Sequence, residues 1–337
     1  MTANASDILA LDASVAHFER VHLGREVTVA MSAYGNATVT LIALRALFNA
    51  AQGDFELILV DDCSPDQGQT RALFEQVAAS HARTRVFCFS RNLEYTGSLN
   101  CILSHAQGER VLFLSNDIFV TPSYLRGLMA AADESPSHGV VRGCSNFVDN
   151  GLATHNVQTP QITSSLDLFE FGERIARSHG RQMLYEEFLV GDAFMVTRQV
   201  LNMIGTFDPL FYGYFGDPDF GLRARRGGFK LVLARGAFAF HMQDANMNYL
   251  PPDQRQAKFA RRMARVHENW ARFKIKYGIG VEEMYESVVS IPWNRLSTAT
   301  FSDSDWVAPG NYLRHEILGS ARARDDRAAT PLGLRSA

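Results

Sequence analysis

The strongest constraint on the fold is an apolar run that ends in a polar turn and a carboxylate, Val111 to Asp117. The four consecutive apolar side chains at its start are typical of a strand buried on both faces, as in a parallel sheet. The same pattern occurs upstream, where residues 57–60 lead into Asp61 and Asp62. Because ligands of parallel sheets bind just beyond the carboxyl ends of the strands, these carboxylates are placed where a metal ion or a charged ligand would be held.

Strand and helix patterns alternate along the first 145 residues. This order predicts an α/β chain with a mostly parallel, doubly wound, Rossmann-like sheet flanked by helices. The predicted strands are 27–31, 55–60, 85–89, 111–114 and 140–144, and the predicted helices are 37–51, 69–80, 97–106 and 122–132.

The next hundred residues are less regular. Residues 145–187 are polar with one helical pattern over 167–178, which suits either a mobile lid near the site or a plain surface insertion. An apolar stretch over 188–196 restores regularity. Beyond it we expect short helices over 198–204 and 220–226, the second ending at a glycine pair, and short strands over 230–234 and 237–241.

Composition and charge narrow the class of protein. A net charge of −3 gives no electrostatic sign of nucleic-acid binding. The four cysteines form no CxxC pair, which predicts reduced thiols. Residues 1–26, an expected N-terminal extension, lack the basic start and apolar run of a secretory signal, and no stretch approaches the ~18 apolar residues of a membrane span. These observations favour a cytoplasmic location.

The C-terminal part, residues 246–319, is expected to form a helical extension, followed by a disordered tail over 320–337. Residues 254–277 carry apolar side chains at helical spacing, and their opposite face is strongly basic. The favoured interpretation packs the apolar face on the rest of the protein and leaves the basic face in solvent. The alternative is a peripheral contact of this basic helix with anionic lipid at the inner face of a membrane.

Several motifs, taken in order over residues 27–241, resemble those of the family 2 glycosyltransferases of GT-A fold. Residues 29–34 are similar to the family's first strand and turn, and residues 59–64 resemble its VDDGS element with Cys63 in place of glycine. Ser90-Arg91-Asn92, with Gly97 after it, resembles the N-x-G segment beside the nucleotide.

Three further motifs extend the resemblance. Residues 114–117 fall at the metal-binding DxD element, although Ser115 stands at its first acidic position. Residues 215–223 resemble the acceptor-side EDxDLxxR motif, with Gly216 in place of glutamate. His241 falls where the family often has a late metal-binding histidine.

The resemblance implies an inverting, metal-dependent glycosyltransferase of bacterial polysaccharide, glycolipid or glycoconjugate synthesis. Residues 27–145 would bind a UDP-, GDP- or dTDP-sugar. Residues 146–245 would bind the acceptor, which is a glycan, a glycolipid or another hydroxyl compound.

The resemblance also implies roles for individual residues. A divalent cation, Mn²⁺ or Mg²⁺, would stabilise the leaving diphosphate, and a carboxylate would take the proton of the acceptor hydroxyl. Asp217 is the implied base, and Asp117 and His241 the metal ligands. The implied nucleotide-sugar contacts are Ser32, Tyr34, Asp62, Arg91, Asn92, Gly97, Asn116 and Asp117, and the acceptor-binding or supporting residues are Asp219, Gly191 and Asp192.

Other interpretations stay open at this point. Asp117 is also typical of a turn, and Asp217 and Asp219 would complement a helix N-terminus. A nucleotide-sugar-binding module without catalysis has the same motifs. A sugar-1-phosphate nucleotidyltransferase is less favoured, because the loop over residues 32–36 has one glycine and no basic residue to hold phosphates.

Overall fold

The computed structural model describes residues 9–148, 154–242, 252–280, 288–310, 313 and 315–321. Its strands are β1 (Val21–His22), β2 (Val27–Ala33), β3 (Ala51–Gln52), β4 (Glu56–Asp61), β5 (Thr84–Phe89), β6 (Arg110–Ser115), β7 (Ile118–Phe119), β8 (His138–Ser145), β9 (Met183–Glu186), β10 (Ala193–Thr197), β11 (Lys230–His241) and β12 (Ile317–Ala321). Its α-helices are α1 (Ala37–Ala50), α2 (Gln69–Ser80), α3 (Glu94–His105), α4 (Pro122–Asp133), α5 (Ser165–His179), α6 (Arg198–Ile204), α7 (Gly216–Arg226), α8 (Pro252–Tyr277) and α9 (Trp293–Ser297).

Strands other than the short pair β1 and β3 form one mixed sheet in the described part of the chain. Its order is β12-β5-β4-β2-β6-β10-β8-β11-β7, and β9 pairs with β11. Strands β5, β4, β2 and β6 run parallel, and β8 and β11 share their direction. Strand β10 runs antiparallel between β6 and β8. Its first residues therefore lie at the carboxyl ends of its neighbours, a reversal that the strand–helix alternation does not reveal.

Helices cover both faces of the sheet, which confirms the predicted doubly wound arrangement. On one face, α1, α2, α4 and α5 contribute side chains such as Leu44, Phe74 and Phe169 to one buried apolar cluster. On the other, α3, α6 and α7 contribute to a second cluster. A third cluster joins α8 and α9 to the loop before α7 through aromatic side chains that include Phe215, Trp270 and Trp293.

Helix starts follow local sequence signals. Helix α4 begins with Pro122 at its first position, and the side chain of Thr121 caps it by accepting a hydrogen bond from Tyr124 N at 3.0 Å. Helix α5 is capped by Ser164, whose hydroxyl accepts from Asp167 N at 3.1 Å. Helix α5 buries Leu168 and Phe169 against the sheet layer, so this part of the segment predicted as a lid or surface insertion belongs to the core.

The predicted break between the two later strands is wrong. The strands expected over 230–234 and 237–241 form one strand, β11, whose pairing with β8 shifts register between Ala234 and Phe238. The backbone stays extended across the gap, where Arg235 N donates to Gln182 O at 2.9 Å.

A strand crosses the predicted boundary between the helical extension and the tail at residue 319. Residues 317–321 form β12, which pairs antiparallel with β5 and covers that edge of the sheet. The remainder of the predicted tail lies outside the described residues.

Candidate functional site

A cleft of about 1020 Å³ opens at the carboxyl ends of β2, β4 and β6. This position is expected for ligands of an open α/β sheet, and the volume is at the upper end of ligand pockets. The register places Ser32 opposite Ser115, so the loops after the two strands start side by side. The sequence-predicted residues that line the cleft are Ser32, Tyr34, Asp62, Asn92, Asn116, Asp117 and His241.

Asp117 and His241 form the centre of the cleft floor. His241 Nε2 lies 3.5 Å from Asp117 Oδ2, and both side chains are about one-seventh exposed, at 14% and 15%. The backbone holds them together, because β11 pairs with β7 and Met242 N donates to Asp117 O at 2.9 Å. His241 Nδ1 faces Phe147 O at 3.1 Å, so Nδ1 donates there and Nε2 is the ring atom that faces Asp117. Nε2 is protonated when the imidazole is charged and is free to bind a cation when it is neutral.

This pair fits a divalent cation. Two ligand atoms at about 2.1 Å from one ion are roughly 3.0–3.4 Å apart, close to the separation seen here. Mn²⁺ accepts both carboxylate oxygen and imidazole nitrogen, and Mg²⁺ favours oxygen. Within the described ranges, no cluster of three or more acidic, histidine or cysteine side chains is arranged to hold a metal. A bound ion would therefore take its other ligands from substrate phosphates and water.

Asp192 supports the floor from the start of β10. Its Oδ2 lies 3.8 Å from His241 Nδ1, and its Oδ1 accepts from Arg142 Nη2 at 2.9 Å. Arg142 is only 2% exposed, so it is a buried cation directed at Asp192. Burial by itself lowers the pKa of His241, but the hydrogen bond and charge of Asp117, with the charge of Asp192, raise that pKa to about 9. The acids thus stabilise a positive charge at the floor.

Asp62 occupies the neighbouring strand end. Its Oδ1 accepts from Leu93 N at 2.6 Å, and its Oδ2 accepts from Asn92 Nδ2 at 3.1 Å. Burial raises the pKa of Asp62 to about 8, against the effect of the Leu93 hydrogen bond. Asp62 and Asn92 therefore form a fixed polar pair at the cleft wall.

Of the other predicted nucleotide contacts, some line the cleft and others lie outside its lining. Tyr34 is 45% exposed at the rim, and Asn116 is buried with its Nδ2 donating to Thr40 Oγ1 at 2.9 Å. Arg91 and Gly97 are not among the lining residues. Arg91 pairs with Glu316 at 3.0 Å, and a Cβ on Gly97 would meet Leu93 Cβ at 2.4 Å, so this glycine serves the close packing of α3.

Asp217 lies in the first turn of α7. It is half-buried and is not among the residues that line the cleft. Its Oδ2 accepts from Gly191 N at 2.9 Å, and Gly191 O accepts from the hydroxyl of Tyr95 at 2.7 Å. A Cβ on Gly191 would lie 1.9 Å from that hydroxyl, so only glycine fits between Tyr95 and Asp217. Burial, and then the charge of Asp192, raises the pKa of Asp217 to about 7. A carboxyl with this pKa can exchange a proton near neutrality.

Asp219 has a different environment, although it is only two residues away. It is fully buried, accepts from Arg223 Nε at 2.7 Å and from Tyr277 Oη at 2.6 Å, and also pairs with Lys276. Although burial opposes ionisation, the charges of Arg223 and Lys276 hold its pKa below the ordinary value. Asp219 thus fastens the end of α8 to α7.

Sequence reasoning missed the remaining wall of the cleft. One face of α8 lines it with basic side chains, and Tyr95 and Tyr214 contribute aromatic surface. The apolar face of α8 is buried in its C-terminal half, through side chains such as Trp270 and Phe273, whereas Phe259 near its start is 54% exposed. The periodic basic pattern was visible in the sequence, but nothing there indicated which part of the molecule it faces.

The chain is similar in structure to known proteins, although its sequence is distant from theirs. No curated protein matches the chain significantly. Among solved structures, GalNAc-T7 with UDP, GalNAc and Mn²⁺ is similar at 14% identity and a TM-score of 0.50, with 64% of this chain and 43% of that chain covered. The chain thus spans less than half the length of that protein, and the likeness shows the fold, which is the GT-A fold.

Two further solved structures are similar at lower scores. The mannosyltransferase PcManGT from Pyrobaculum calidifontis, in complex with GDP-Man and Mn²⁺, is 17% identical with a TM-score of 0.46, and 70% of this chain and 62% of that chain are covered. TarS residues 1–349 from S. aureus, in complex with UDP, are 18% identical with a TM-score of 0.45, and 64% of this chain and 60% of that chain are covered.

The family model of glycosyl transferase family 2 matches residues 28–202, from β2 to α6. The matched part is more than half of the chain and contains the strand ends that carry Asp62, Asp117 and Asp192. The chain therefore belongs to glycosyl transferase family 2.

Proposed function

We propose that this protein transfers a sugar from a nucleotide-sugar donor to an acceptor hydroxyl with inversion, and that it depends on Mn²⁺ or Mg²⁺. The observation that carries the proposal is the Gly191–Asp192 segment, which contacts both the proposed base and the proposed metal-binding pair. Gly191 N holds Asp217, while the side chain of Asp192 faces His241 beside Asp117. This segment thus couples a carboxylate of raised pKa to a pair suited to a cation.

Each residue has a defined task in this proposal. Asp117 and His241 hold the cation, which supplies Lewis-acid stabilisation of the leaving diphosphate when it is bound. Asp62 accepts hydrogen bonds from the base or ribose of the donor. Asp217 takes the proton of the acceptor hydroxyl as that oxygen attacks the anomeric carbon. A single in-line displacement inverts that carbon.

Donor and acceptor classes belong to the same proposal. A UDP-, GDP- or dTDP-sugar is the proposed donor, and a glycan, glycolipid or other hydroxyl compound in bacterial cell-surface polysaccharide synthesis is the proposed acceptor. A cytoplasmic location follows from these substrates. Among the described helices, none combines the length and the apolar character needed to cross a bilayer. Membrane contact through α8 stays a secondary proposal.

The test is an assay of donor turnover and acceptor transfer with wild type and Asp217→Asn, in the presence of Mn²⁺. Asparagine keeps the shape and can still accept from Gly191 N, but it cannot take a proton. We expect turnover to fall by about 10²–10⁴-fold while metal-dependent donor binding is retained. Asp133→Asn, which changes an exposed acid of α4, serves as the matched control.

Two outcomes would contradict the proposal. Equal turnover in Asp217→Asn and wild type would remove Asp217 as the base. Donor binding without turnover in wild type, across a broad acceptor panel, would favour a nucleotide-sugar-binding module without catalysis.

A further inference from the structure

A stripe of four basic side chains on α8 faces the cleft opposite the strand ends. Spaced at three, four and seven residues from its first member, the stripe lies on one face of the helix and spans about 10.5 Å. This α8 stripe consists of Lys258, Arg261, Arg262 and Arg265, all of which line the cleft.

Contacts in the C-terminal half of α8 determine which face of the helix is turned towards the cleft. Asn269 Nδ2 donates to the carbonyls of Tyr212 and Tyr214, each at 2.9 Å. Lys276 and Tyr277 contact the buried Asp219. Since these contacts lie on the C-terminal half of the helix, they hold its N-terminal half against the cleft.

The C-terminal end of the stripe lies beside the residues proposed for the nucleoside. Arg265 pairs with Glu94 and lies over the ring of Tyr212, with its guanidinium carbon 4.9 Å from the centroid. The hydroxyl of Tyr212 in turn donates to Asn92 O at 2.9 Å, and Asn92 contacts Asp62. Arg261 and Arg262 lie one turn earlier in α8 and line the same cleft as Asp117 and His241.

Charge complementarity favours a phosphate ligand at this position. The DxD element carries one acid fewer than the full motif, because Ser115 replaces the first aspartate. A cation at Asp117 and His241 therefore has fewer protein ligands. Guanidinium groups match phosphate oxygens in charge and geometry, and a partly enclosed cleft strengthens such hydrogen bonds. Helix α8 also lies beyond the residues that match the family model, so the family match assigns it no role.

We propose that the α8 stripe binds the diphosphate of the donor, with Arg261 and Arg262 as its main contacts. This inference rests on the proposed function, because it assumes a nucleotide-sugar donor. The stripe supplies positive charge from the helix side, and the cation supplies it from the sheet side. Part of the affinity for a nucleoside diphosphate is then independent of metal and sensitive to salt.

The experiment compares wild type with the double variant Arg261→Gln/Arg262→Gln by titration calorimetry. The probes are UDP, GDP, uridine, guanosine and inorganic pyrophosphate, each with Mn²⁺ and with EDTA, at low and moderate salt. Arg255→Gln is the matched control, because Arg255 is an exposed cation of α8 outside the cleft lining. Thermal melting of each variant checks that it is folded.

We expect the double variant to weaken binding of the preferred nucleoside diphosphate, and of pyrophosphate, by about tenfold or more in EDTA. Binding of the nucleoside stays unchanged, and the control stays within about twofold of wild type. Unchanged diphosphate affinity in the folded double variant would overturn the proposal. If the variant instead raised only the KM of a phosphate-bearing acceptor, the anion would belong to the acceptor, and the donor assignment would be wrong.

Pyrophosphate separates this inference from the proposed function. If wild type bound no nucleotide with or without Mn²⁺, the proposed function would fail. Arginine-dependent binding of pyrophosphate would then still support the stripe as a phosphate site. Normal nucleotide binding with no effect of the double variant would leave the proposed function intact and exclude the stripe.

Discussion

The two sides of the cleft are built in different ways. On the sheet side, the acids follow the carboxyl ends of strands. Backbone pairing fixes these strand ends relative to one another, as the pairing of Ser32 with Ser115 shows for β2 and β6. On the helix side, the cations of the α8 stripe depend on side-chain contacts far along the same helix, above all those of Asp219. A site held by a sheet ladder can be anticipated from local sequence, whereas a site held by one buried ionic cluster cannot.

The largest effect is expected from breaking that cluster. Asp219→Asn removes the charge that pairs with Arg223, which is fully buried, and with Lys276. Leaving such a cation uncompensated costs about 3–5 kcal/mol in the free energy of unfolding. We expect denaturant unfolding to report this loss. Below the melting temperature, metal-dependent nucleotide binding through the sheet side should persist.

Asp208→Asn is the matched control for this comparison. Asp208 accepts from the same Lys276 Nζ at 2.7 Å, but its side chain is 19% exposed, so its loss should cost about 1 kcal/mol or less. Equal losses in the two variants would mean that burial of Asp219 does not determine how α8 is held.

A smaller effect is expected from Asp192→Asn, which tests the sheet side. Asparagine can still accept from Arg142, but it removes the negative charge 3.8 Å from His241 Nδ1. It also leaves the buried Arg142 without its carboxylate partner, so the metal titration is made well below the melting temperature of the variant. Outer partners of a metal-binding histidine typically change metal affinity by about 10–100-fold, and we expect a loss in this range for Mn²⁺. Affinity for a nucleoside diphosphate in EDTA should stay the same. An unchanged Mn²⁺ affinity would remove Asp192 from the metal site.

The pH dependence of transfer is expected to separate the two sides further. The pKa of Asp217 is raised to about 7, so the carboxyl is protonated below that pH and cannot act as a base. With saturating Mn²⁺, which keeps the His241 site occupied across the pH range, we expect kcat/KM to fall by about tenfold per pH unit below 7 and to level off above it. Asp192 and Arg142 are the charged groups that act on Asp217, and burial together with the charge of Asp217 raises the pKa of Tyr95.

Two variants sharpen this pH profile. Asp192→Asn should shift it to lower pH, because the charge of Asp192 contributes to the raised pKa of Asp217. The Arg261→Gln/Arg262→Gln double variant should leave its midpoint unchanged. A profile that is flat through neutrality in wild type would contradict the assignment of Asp217 as the base.

The sequence was sufficient for much of the sheet and for one side of the site. Buried apolar runs gave the central strands, and helix α6 was predicted with its observed bounds, 198–204. Asp62, Asp117 and His241 meet in one cleft, because strand ends of one direction share an edge of the sheet. Whether these residues act as assigned stays a prediction.

Other features depend on contacts that are distant in the chain. Strands β7 and β9 are short, with two and four residues, and their apolar pattern is weak without the partner β11. Strand β12 is stabilised by pairing with β5, more than two hundred residues earlier, and its five residues alone do not predict a strand. The sequence predicts the α8 stripe in solvent, but in the structure the stripe faces the cleft. The direction of α8 is set by Asp219 and the aromatic cluster around Trp270, and these contacts cannot be read from the helix alone.

The central claim is that Asp117 holds a cation for the donor diphosphate, and metal-dependent nucleotide binding tests it most directly. Titration of wild type and Asp117→Ala with the preferred nucleoside diphosphate, with and without Mn²⁺, gives the comparison. We predict that Mn²⁺ strengthens binding to wild type and that Asp117→Ala abolishes this gain while the metal-free affinity remains. An equal gain from Mn²⁺ in both proteins would contradict the account and return Asp117 to the role of a turn residue.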